Sequence, residues 1–384
     1  MSQKSTPFGV YIHVPFCSSR CGYCDFNTYT PGELGSSASP ESYLNALEIE
    51  LDLAAQIRAS SGDTREASTV FVGGGTPSML GAAGLDRVLL AVRSSTGIAP
   101  GAEVTTESNP ESTSPEFFHS LLESGFTRVS LGMQSASSSV LKVLERKHTP
   151  GRAFAAAKEA LAAGVNHVNL DMIYGTPTET NEDVRETLSR VVDTGVDHVS
   201  AYSLIVEDGT AMARKVRRGE LPPPDEDTYA DRYWMIDQAL RQEGFSWYEV
   251  SNWAREGGEC QHNMGYWRDG DWWGAGPGAH SHIAQRRFHN IKHPASYSKA
   301  LLAGELPVKE EETLSDVERH EEKVMLGLRL KEGVSIAEFS AGELDVIESR
   351  VKQGLLHMDA GRVRLTEKSR LLADGIIADI LVAD

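Results

Sequence analysis

Three of the four cysteines lie close together, as Cys17, Cys21 and Cys24, with the spacing C-x3-C-x2-C. Thiolates are the usual ligands of iron–sulfur clusters, and a [4Fe–4S] cluster that only carries electrons takes four of them. Three cysteines leave one iron without a protein ligand, open to a small molecule. The spacing therefore predicts a [4Fe–4S] cluster held by these three residues.

Zinc and disulfide bonds are the alternatives for this motif. A structural zinc site usually joins one C-x2-C pair to a second Cys or His pair, and only Cys260 remains elsewhere in the chain. A disulfide framework fits poorly with four cysteines in 384 residues. Both alternatives are therefore less favoured than the cluster.

The elements around the cysteines alternate between strands and helices. Apolar runs rich in Val, Ile, Tyr and Thr predict strands at 8–16, 68–72, 103–107, 127–133, 167–174 and 198–206. Helical patterns lie between and after them, near 40–60, 81–96, 114–124, 150–163, 181–194 and 226–243. Strands separated by helices pair in parallel, so the fold class is α/β, with either a doubly wound sheet or a partial barrel.

Chemically distinctive residues fall where the predicted strands end. Cys17, Gly73, Glu107, Gln134 and Asp171 all lie at or just beyond those ends. In both architectures the carboxyl edge of the parallel strands holds the functional site. We therefore expect these residues to meet there.

The glycines Gly73, Gly74 and Gly75, followed by Thr76, end one strand. Glycine lets a ligand approach the backbone closely, although three glycines can equally form a structural turn. Glu107 ends the next strand, where a carboxylate can accept hydrogen bonds from ribose hydroxyls. A solvated loop acid is the alternative for Glu107.

The remainder of the chain differs in character. We divide the sequence into a core domain at 1–240, a Trp/Gly/His-rich connecting region at 241–305 and a C-terminal domain at 306–384. In the last of these, helices precede a predicted hairpin at 355–365, an order typical of α+β winged-helix-like modules. Because this domain has no basic excess, we expect it to serve in packing or partner contact and not in DNA binding.

Composition restricts the class of function. The formal net charge of −18 gives no electrostatic footprint for nucleic acid, so we expect no nucleic-acid partner. No apolar run reaches the length of a membrane span, and the first residues lack a secretory signal. Few cysteines, clustered as ligands, suit a cytoplasmic protein.

The cysteine spacing after a strand-like segment resembles the signature of the radical S-adenosylmethionine (SAM) superfamily. That resemblance implies a TIM-type partial (β/α)6 barrel over the core domain, with SAM chelated at the open iron. The element Gly74-Gly75-Thr76-Pro77 is similar to the one that holds the SAM amino group in this superfamily.

Further motifs resemble the family of coproporphyrinogen III dehydrogenases and the related HemW-type heme chaperones. They run through Tyr11–Cys17, Leu131–Gln134, Leu144–Arg146 and Asp171–Gly175. The resemblance implies the following cofactor-binding residues: Tyr11, Gly74 and Glu107 for the cluster-bound SAM; Gln134, Arg146 and Asp171 for an adjacent site; and Tyr23, Gly75 and Thr76 beside them. An internal ion pair is the alternative for Arg146 and Asp171.

Two features separate the chaperones from the dehydrogenases. The dehydrogenase pattern has a fourth cysteine where this chain has Phe26, and a long extension before the tyrosine that Tyr11 matches. Residues 262–267 fit the motif HNxxYW, which is associated with HemW-type proteins and heme binding. The resemblance therefore favours the chaperone.

The motif supplies a candidate iron ligand for heme, since imidazole is a common axial ligand. We expect His262 to take that role, with aromatic walls from Tyr266, Trp267, Trp272 and Trp273. The alternative is a capped turn with a buried aromatic cluster. Cys260 is either a core residue or an accessory ligand, and His280 and His282 are further, weaker candidates.

Together these features predict a cytoplasmic heme chaperone that carries a [4Fe–4S] cluster and exchangeable SAM. Its partners would be heme and an unidentified acceptor protein, with room for peripheral contact with a membrane-bound acceptor. The alternative is an enzyme, an oxygen-independent coproporphyrinogen III dehydrogenase. A structural or DNA-binding winged-helix protein is a third class, and it leaves the cysteine motif unexplained.

Overall fold

A computed structural model describes residues 7–34, 39–147 and 149–383 of the chain. Their strands form one large mixed sheet and one small sheet. In chain order the strands are β1 (Phe8–Val14), β2 (Ala67–Gly74), β3 (Ile98–Ser108), β4 (Arg128–Gln134), β5 (His167–Tyr174), β6 (His198–Ser203), β7 (Ser246–Glu249), β8 (Asn252–Ala254), β9 (Asp271–Ala275), β10 (His280–Ile283), β11 (Arg286–Asn290), β12 (Val308–Thr313), β13 (Val334–Ser335), β14 (Leu356–Asp359) and β15 (Arg362–Leu365).

Helices connect most of these strands. They are α1 (Pro31–Leu34), α2 (Pro40–Ser60), α3 (Gly81–Ser95), α4 (Pro115–Ser124), α5 (Ser138–Val143), α6 (Arg152–Ala163), α7 (Asn181–Val192), α8 (Ala211–Arg217), α9 (Glu226–Gln242), α10 (Gln261–Trp267), α11 (Pro294–Leu302), α12 (Asp316–Gly327), α13 (Ala341–Lys352) and α14 (Ala373–Leu381), with short 3₁₀ turns at Pro77–Leu80, Pro110–Ser112, Ile336–Glu338 and Glu367–Leu372. Among the described residues, no helix has the length and apolar content that a membrane crossing requires.

The six predicted strands and the six predicted helices are confirmed. Strands β1 to β6 pair in parallel and in sequence order. Polar side chains cap the first turns of two of these helices. Ser114 Oγ accepts a hydrogen bond from the Phe117 amide at the start of α4, and Thr180 forms a capping box with Asp183 at the start of α7.

Side chains alternate between the two faces of this sheet. On β1, Val10, Ile12 and Val14 are buried in the core beneath the helices. Tyr11 and His13 point to the opposite face, where Tyr11 stacks on Phe71 of β2 with ring centroids 6.2 Å apart. We call this second face the inner face, since it carries the polar residues of the candidate site.

The large sheet extends beyond the six predicted strands. Its order is β12-β11-β10-β9-β1-β2-β3-β4-β5-β6-β8-β7 in the described part of the chain. Strand β9 joins β1 in parallel, and β10, β11 and β12 continue from it in antiparallel pairs. The connecting region is therefore built into the same sheet as the cluster motif.

The C-terminal residues have a core of their own. Val324, Leu328, Ile347, Val363 and Ile376 belong to a separate buried cluster formed by α12 to α14 and the small sheet β13-β15-β14. The predicted hairpin at 355–365 is confirmed as β14 and β15. The closer comparison with winged-helix modules stays a prediction.

A buried carboxylate fastens the added strands to the first helical layer. Glu50 of α2 accepts hydrogen bonds from Tyr297 Oη at 2.5 Å, Asn290 Nδ2 at 2.6 Å and the Gly276 amide at 2.8 Å. Burial raises the pKa of Glu50 to about 7, against the opposing effect of these donors. One side chain of α2 thus bonds to three segments that follow β9.

Replacement of Glu50 tests this connection. We expect Glu50→Ala to lower the free energy of unfolding by about 3 kcal/mol, because it leaves three buried donors without an acceptor. The matched control, Tyr297→Phe, removes one donor and should cost about 1 kcal/mol. Thermal melting of both variants measures the difference, and equal melting temperatures would contradict the network's role.

Candidate functional site

The three cysteines of the motif line one cavity at the carboxyl ends of the parallel strands. They lie in the loop after β1 as free, half-buried thiols, and the cavity has a volume of about 690 Å³. The loop is anchored at both ends of its backbone, since the Cys17 amide donates to Tyr29 O at 3.0 Å and the Tyr29 amide donates to Pro15 O at 2.7 Å. Three thiols facing one cavity match the donor set of a cluster with an open iron.

Two donors already approach the cysteine sulfurs. Thr76 Oγ1 lies 3.5 Å from Cys17 Sγ, and Arg146 Nη1 lies 3.3 Å from Cys21 Sγ. Hydrogen bonds to cluster sulfurs tune a cluster's reduction potential. These residues are therefore placed to act on a bound cluster.

The glycine element passes directly beneath the cysteine loop. A Cβ atom at Gly75 would lie 2.6 Å from Phe16 O and 3.1 Å from Cys17 Sγ. Gly74 has a φ of +106°, and a Cβ atom there would lie 2.7 Å from the His13 ring. Both positions therefore require glycine, and Gly74, Gly75 and Thr76 all line the cavity.

Glu107 is a buried carboxyl group in the wall of the cavity. Its Oε2 accepts a hydrogen bond from the Gly74 amide at 3.0 Å. Burial, together with the nearby charge of Asp171, raises the pKa of Glu107 to about 8. The structure therefore does not support the solvated loop acid considered as an alternative, since Glu107 faces the cavity and bonds to the glycine element.

Asp171 and Arg146 approach the same cavity from two further elements. Asp171 accepts hydrogen bonds from Ser130 Oγ at 3.0 Å and from Asn169 Nδ2 at 2.7 Å, and burial raises its pKa. Arg146 Nη2 donates to Gly132 O at 2.7 Å, while its buried Nε has no hydrogen-bond partner among the described residues. Within that part of the chain the two side chains form no direct ion pair, so both retain capacity for a ligand.

Gln134 and Tyr23 complete the cavity wall. Gln134 ends β4 with a φ of +68°, which is strained for a residue with a side chain and is typical of functional sites. Tyr23 lies between two of the cysteines and lines the cavity, where burial raises its pKa. Both predicted residues are thus brought to the cluster loop.

Tyr11 lies deeper than the sequence suggested. It does not line the cavity as the described residues form it, and its hydroxyl lies 3.0 Å from His13 Nδ1. His13 Nε2 in turn lies 2.9 Å from the Asn27 carbonyl oxygen. Since that carbonyl can only accept, Nε2 carries the proton and Nδ1 accepts from Tyr11. Tyr11 therefore supports the cysteine loop from below.

His262 lies away from the cluster cavity, near the amino ends of the strands. Its Nδ1 is 2.8 Å from Thr69 Oγ1, and its Nε2 is 2.7 Å from Tyr266 Oη. The ring is 3% exposed and stacks on Phe71. Burial lowers its pKa to about 3, so the ring is neutral. Both ring nitrogens are occupied, which favours the buried aromatic cluster over an exposed iron ligand.

The neighbours of His262 are also packed. Tyr266 lies against Trp272 with ring centroids 4.6 Å apart, and Trp273 is buried in the main core. Trp267 packs against a small apolar cluster, and Cys260 is buried with its sulfur 3.4 Å from Glu103 Oε1. The interpretation of Cys260 as a core residue therefore agrees with its position.

Sequence reasoning missed the polar residues that line the inner face behind the site. Ser130, Asn169 and Ser200 form a hydrogen-bonded row next to Asp171. A signal was present, since these residues alternate along their strands with buried apolar ones. Alternation alone does not identify the face to which a polar side chain turns.

Comparison with known proteins adds family information. Residues 11–191 match the radical SAM superfamily, and residues 314–372 match the HemN C-terminal domain. The chain is 53% identical over 375 residues to heme chaperone HemW of Mycobacterium tuberculosis, covering 98% of this chain and 95% of that protein. It is 33% identical to heme chaperone HemW of Lactococcus lactis, covering 100% and 99% of the two chains.

One solved structure shows the same fold over nearly the whole chain. Coproporphyrinogen III oxidase (HemN) from Escherichia coli, described as a radical SAM enzyme, superposes with a TM-score of 0.83 at 24% identity, covering 98% of this chain and 90% of that one. At this identity the match establishes the fold alone. The near full-length identity to the Mycobacterium and Lactococcus proteins establishes the family, and the chain therefore belongs to the HemW family of the radical SAM superfamily.

Proposed function

We propose that this protein is a heme chaperone, which binds heme and transfers it to an acceptor protein. The observation that carries the proposal is the 53% identity, over nearly the whole of both chains, to a protein named heme chaperone HemW. Such a protein is a carrier, so its bound heme is cargo. All four cysteines are free thiols, which suits a reducing compartment, and we place the carrier in the cytoplasm.

The cavity residues fit a [4Fe–4S] cluster and SAM. Cys17, Cys21 and Cys24 would hold three irons, and SAM would chelate the fourth through its amino and carboxylate groups. When bound, the pair supplies one-electron chemistry. We propose that Gly74 contacts the amino group of SAM and Glu107 its ribose; the hydrogen bond between the Gly74 amide and Glu107 beside the cysteine loop supports this assignment.

Gln134, Arg146 and Asp171 line a second part of the same cavity. Arg146 offers a cation with an unpartnered Nε, and Asp171 offers a buried carboxyl group. We propose that these three residues contact an adjacent ligand in the same cavity. A carboxylate of that ligand would pair with Arg146.

The second candidate function is oxygen-independent oxidation of coproporphyrinogen III. The cavity favours it, because the three cysteines share its lining with Glu107, Arg146 and Asp171. Phe26 counts against it, because this side chain is 63% exposed at the cavity rim, where the dehydrogenase pattern has a fourth cysteine. The chaperone is therefore the better supported function.

Cluster ligation is tested by Cys21→Ala. We expect loss of the [4Fe–4S] cluster after anaerobic reconstitution, because two thiolates remain where three are needed. The matched control is Cys260→Ala, which removes a thiol outside the cavity and should leave iron and sulfide content unchanged. A full complement of iron and sulfide in Cys21→Ala would exclude this residue as a ligand.

The choice between chaperone and enzyme is tested by product analysis. Cluster-loaded protein with confirmed SAM binding is incubated anaerobically with reductant and coproporphyrinogen III, and Cys21→Ala serves as the blank. We expect no protoporphyrinogen above the blank, since a carrier has no need to turn over this substrate. Formation over many turnovers would show that the protein is an enzyme.

The role of His262 is tested by His262→Ala. We expect the free energy of unfolding to fall by about 3 kcal/mol, because the change leaves a cavity and removes the partner of Thr69 and Tyr266. The affinity for ferric heme, measured by absorbance titration, should change by less than about twofold. Loss of heme binding at an unchanged melting temperature would instead make His262 the iron ligand. The control is Tyr266→Phe, which removes one of the two hydrogen bonds to His262 and keeps the ring, so it should lower the free energy of unfolding by less than His262→Ala.

A further inference from the structure

Two histidines lie side by side on the inner face of the sheet, outside the cluster cavity. His280 of β10 and His289 of β11 are paired in antiparallel register. Their rings are stacked, with centroids 5.0 Å apart and an angle of 23° between the ring planes. His280 is exposed and His289 is half-buried. The pair is thus accessible from outside.

Most other histidines of the inner face are buried. One of them, His282, has Nδ1 3.3 Å from Gly270 O and has no hydrogen-bond partner for Nε2 among the described residues, but its side chain is buried and out of reach of a ligand. His13, His198 and His262 are buried, and each has both ring nitrogens within hydrogen-bond distance of a protein group. His280 differs from these three because its side chain is exposed, with the Gly278 backbone as a hydrogen-bond partner. Histidines that ligate metals commonly donate one ring N–H to a backbone carbonyl, which leaves the other nitrogen to bind the metal.

The geometry suits heme iron better than a bare metal ion. Among the described residues, no group of three or more His, Cys, Asp or Glu side chains is arranged to hold a metal ion. Heme brings four nitrogen ligands of its own and needs only one or two axial ligands from protein. A single accessible imidazole is therefore sufficient for heme.

Side chains near His280 offer contacts for the macrocycle and the propionates of a heme. Trp272 Nε1 donates to His280 O at 2.8 Å, so an indole ring lies beside the pair. This ring already packs against Tyr266 and His282, and its exposed part is the aromatic surface offered to a flat macrocycle. Lys292 is exposed and close enough to act electrostatically on His280, and its cation suits a propionate. Burial, His289 and Lys292 all lower the pKa of His280, which favours the neutral ring that binds iron.

We propose that His280 is the axial ligand of the heme iron, that His289 positions its ring, and that the cargo lies on the inner face at β10 and β11. This inference rests on the proposed heme-carrier function. Because the two rings are stacked on each other, a heme bound at this pair would take one of them as its ligand. His280 is assigned that role because it is the more exposed of the two.

The site is also fastened to the cluster loop. Asn27 Nδ2 donates to Pro277 O and to Lys292 O, both at 2.9 Å. These two carbonyls lie on either side of the segment that carries the histidine pair. A Cβ atom at Gly278 would lie 2.7 Å from Asn27 Nδ2, so the contact is close.

Ferric heme titration of the full-length, cluster-loaded protein tests the inference, with absorbance and electron paramagnetic resonance as the two readouts. Loading the cluster first keeps Cys17, Cys21 and Cys24 from binding the iron. We expect His280→Ala to raise the dissociation constant at least about tenfold and to remove the spectral signature of imidazole ligation. Added free imidazole should restore that signature.

Two variants serve as comparisons. His289→Ala should retain the imidazole signature with a smaller loss of affinity, as expected for a positioning residue. His357→Ala removes an exposed histidine of β14 and should match the wild type. Melting temperature and iron content of each variant show whether it is folded and loaded.

The outcomes separate the two proposals. If the wild type binds heme and His280→Ala has the same affinity and spectra, the ligand assignment is wrong while the carrier function stands. If the wild type, loaded with its cluster, binds no heme, the carrier function fails and the assignment fails with it. Loss of the imidazole signature in His280→Ala, with rescue by free imidazole, supports both.

Discussion

Parallel pairing of β1 to β6 is the constraint on which the site depends. Paired residues on neighbouring strands point to the same face, and the register places Glu107 beside Ser130 and Gly132 beside Asp171. The acidic groups therefore meet on the inner face at the carboxyl ends of the strands. A slip of one residue would turn Glu107 and Asp171 toward the apolar core beneath the helices.

This arrangement buries two acidic side chains whose negative charge the surrounding protein groups only partly stabilise. Burial raises the pKa of both Glu107 and Asp171, and the donors that face them lower it by less. Arg146 lies across the cavity with one nitrogen unpartnered. A ligand that carries both cationic and carboxylate groups complements these charges. SAM has that character, with a sulfonium, an amino group and a carboxylate, so the electrostatics of the cavity and the cysteine spacing favour the same cofactor.

Much of the fold and of this site is predictable from local sequence. Strand and helix patterns, the cysteine spacing and the glycine element are all properties of short segments. The features that are not predictable from local sequence are contacts between residues far apart in the chain. The pairing of β9 with β1 joins distant parts of the chain through short Trp- and Gly-rich strands with weak periodicity. The HNxxYW spacing places His262 and Tyr266 on one helical face but does not say whether that face is buried, and only packing against Phe71 decides it.

One loop connects the cluster motif with the proposed heme site. A bound cluster would fix residues 17 to 24, and the same loop continues to Asn27, whose side chain bonds to backbone carbonyls on both sides of the His280 segment. Cluster binding can change the affinity for heme only if the cluster-bound and cluster-free proteins contact the proposed heme site differently. Asn27 is the group that supplies such a contact. If heme binds at β10 and β11 as proposed, a carrier would need its cluster even without turnover, because a bound cluster would hold in place the loop that contacts these strands.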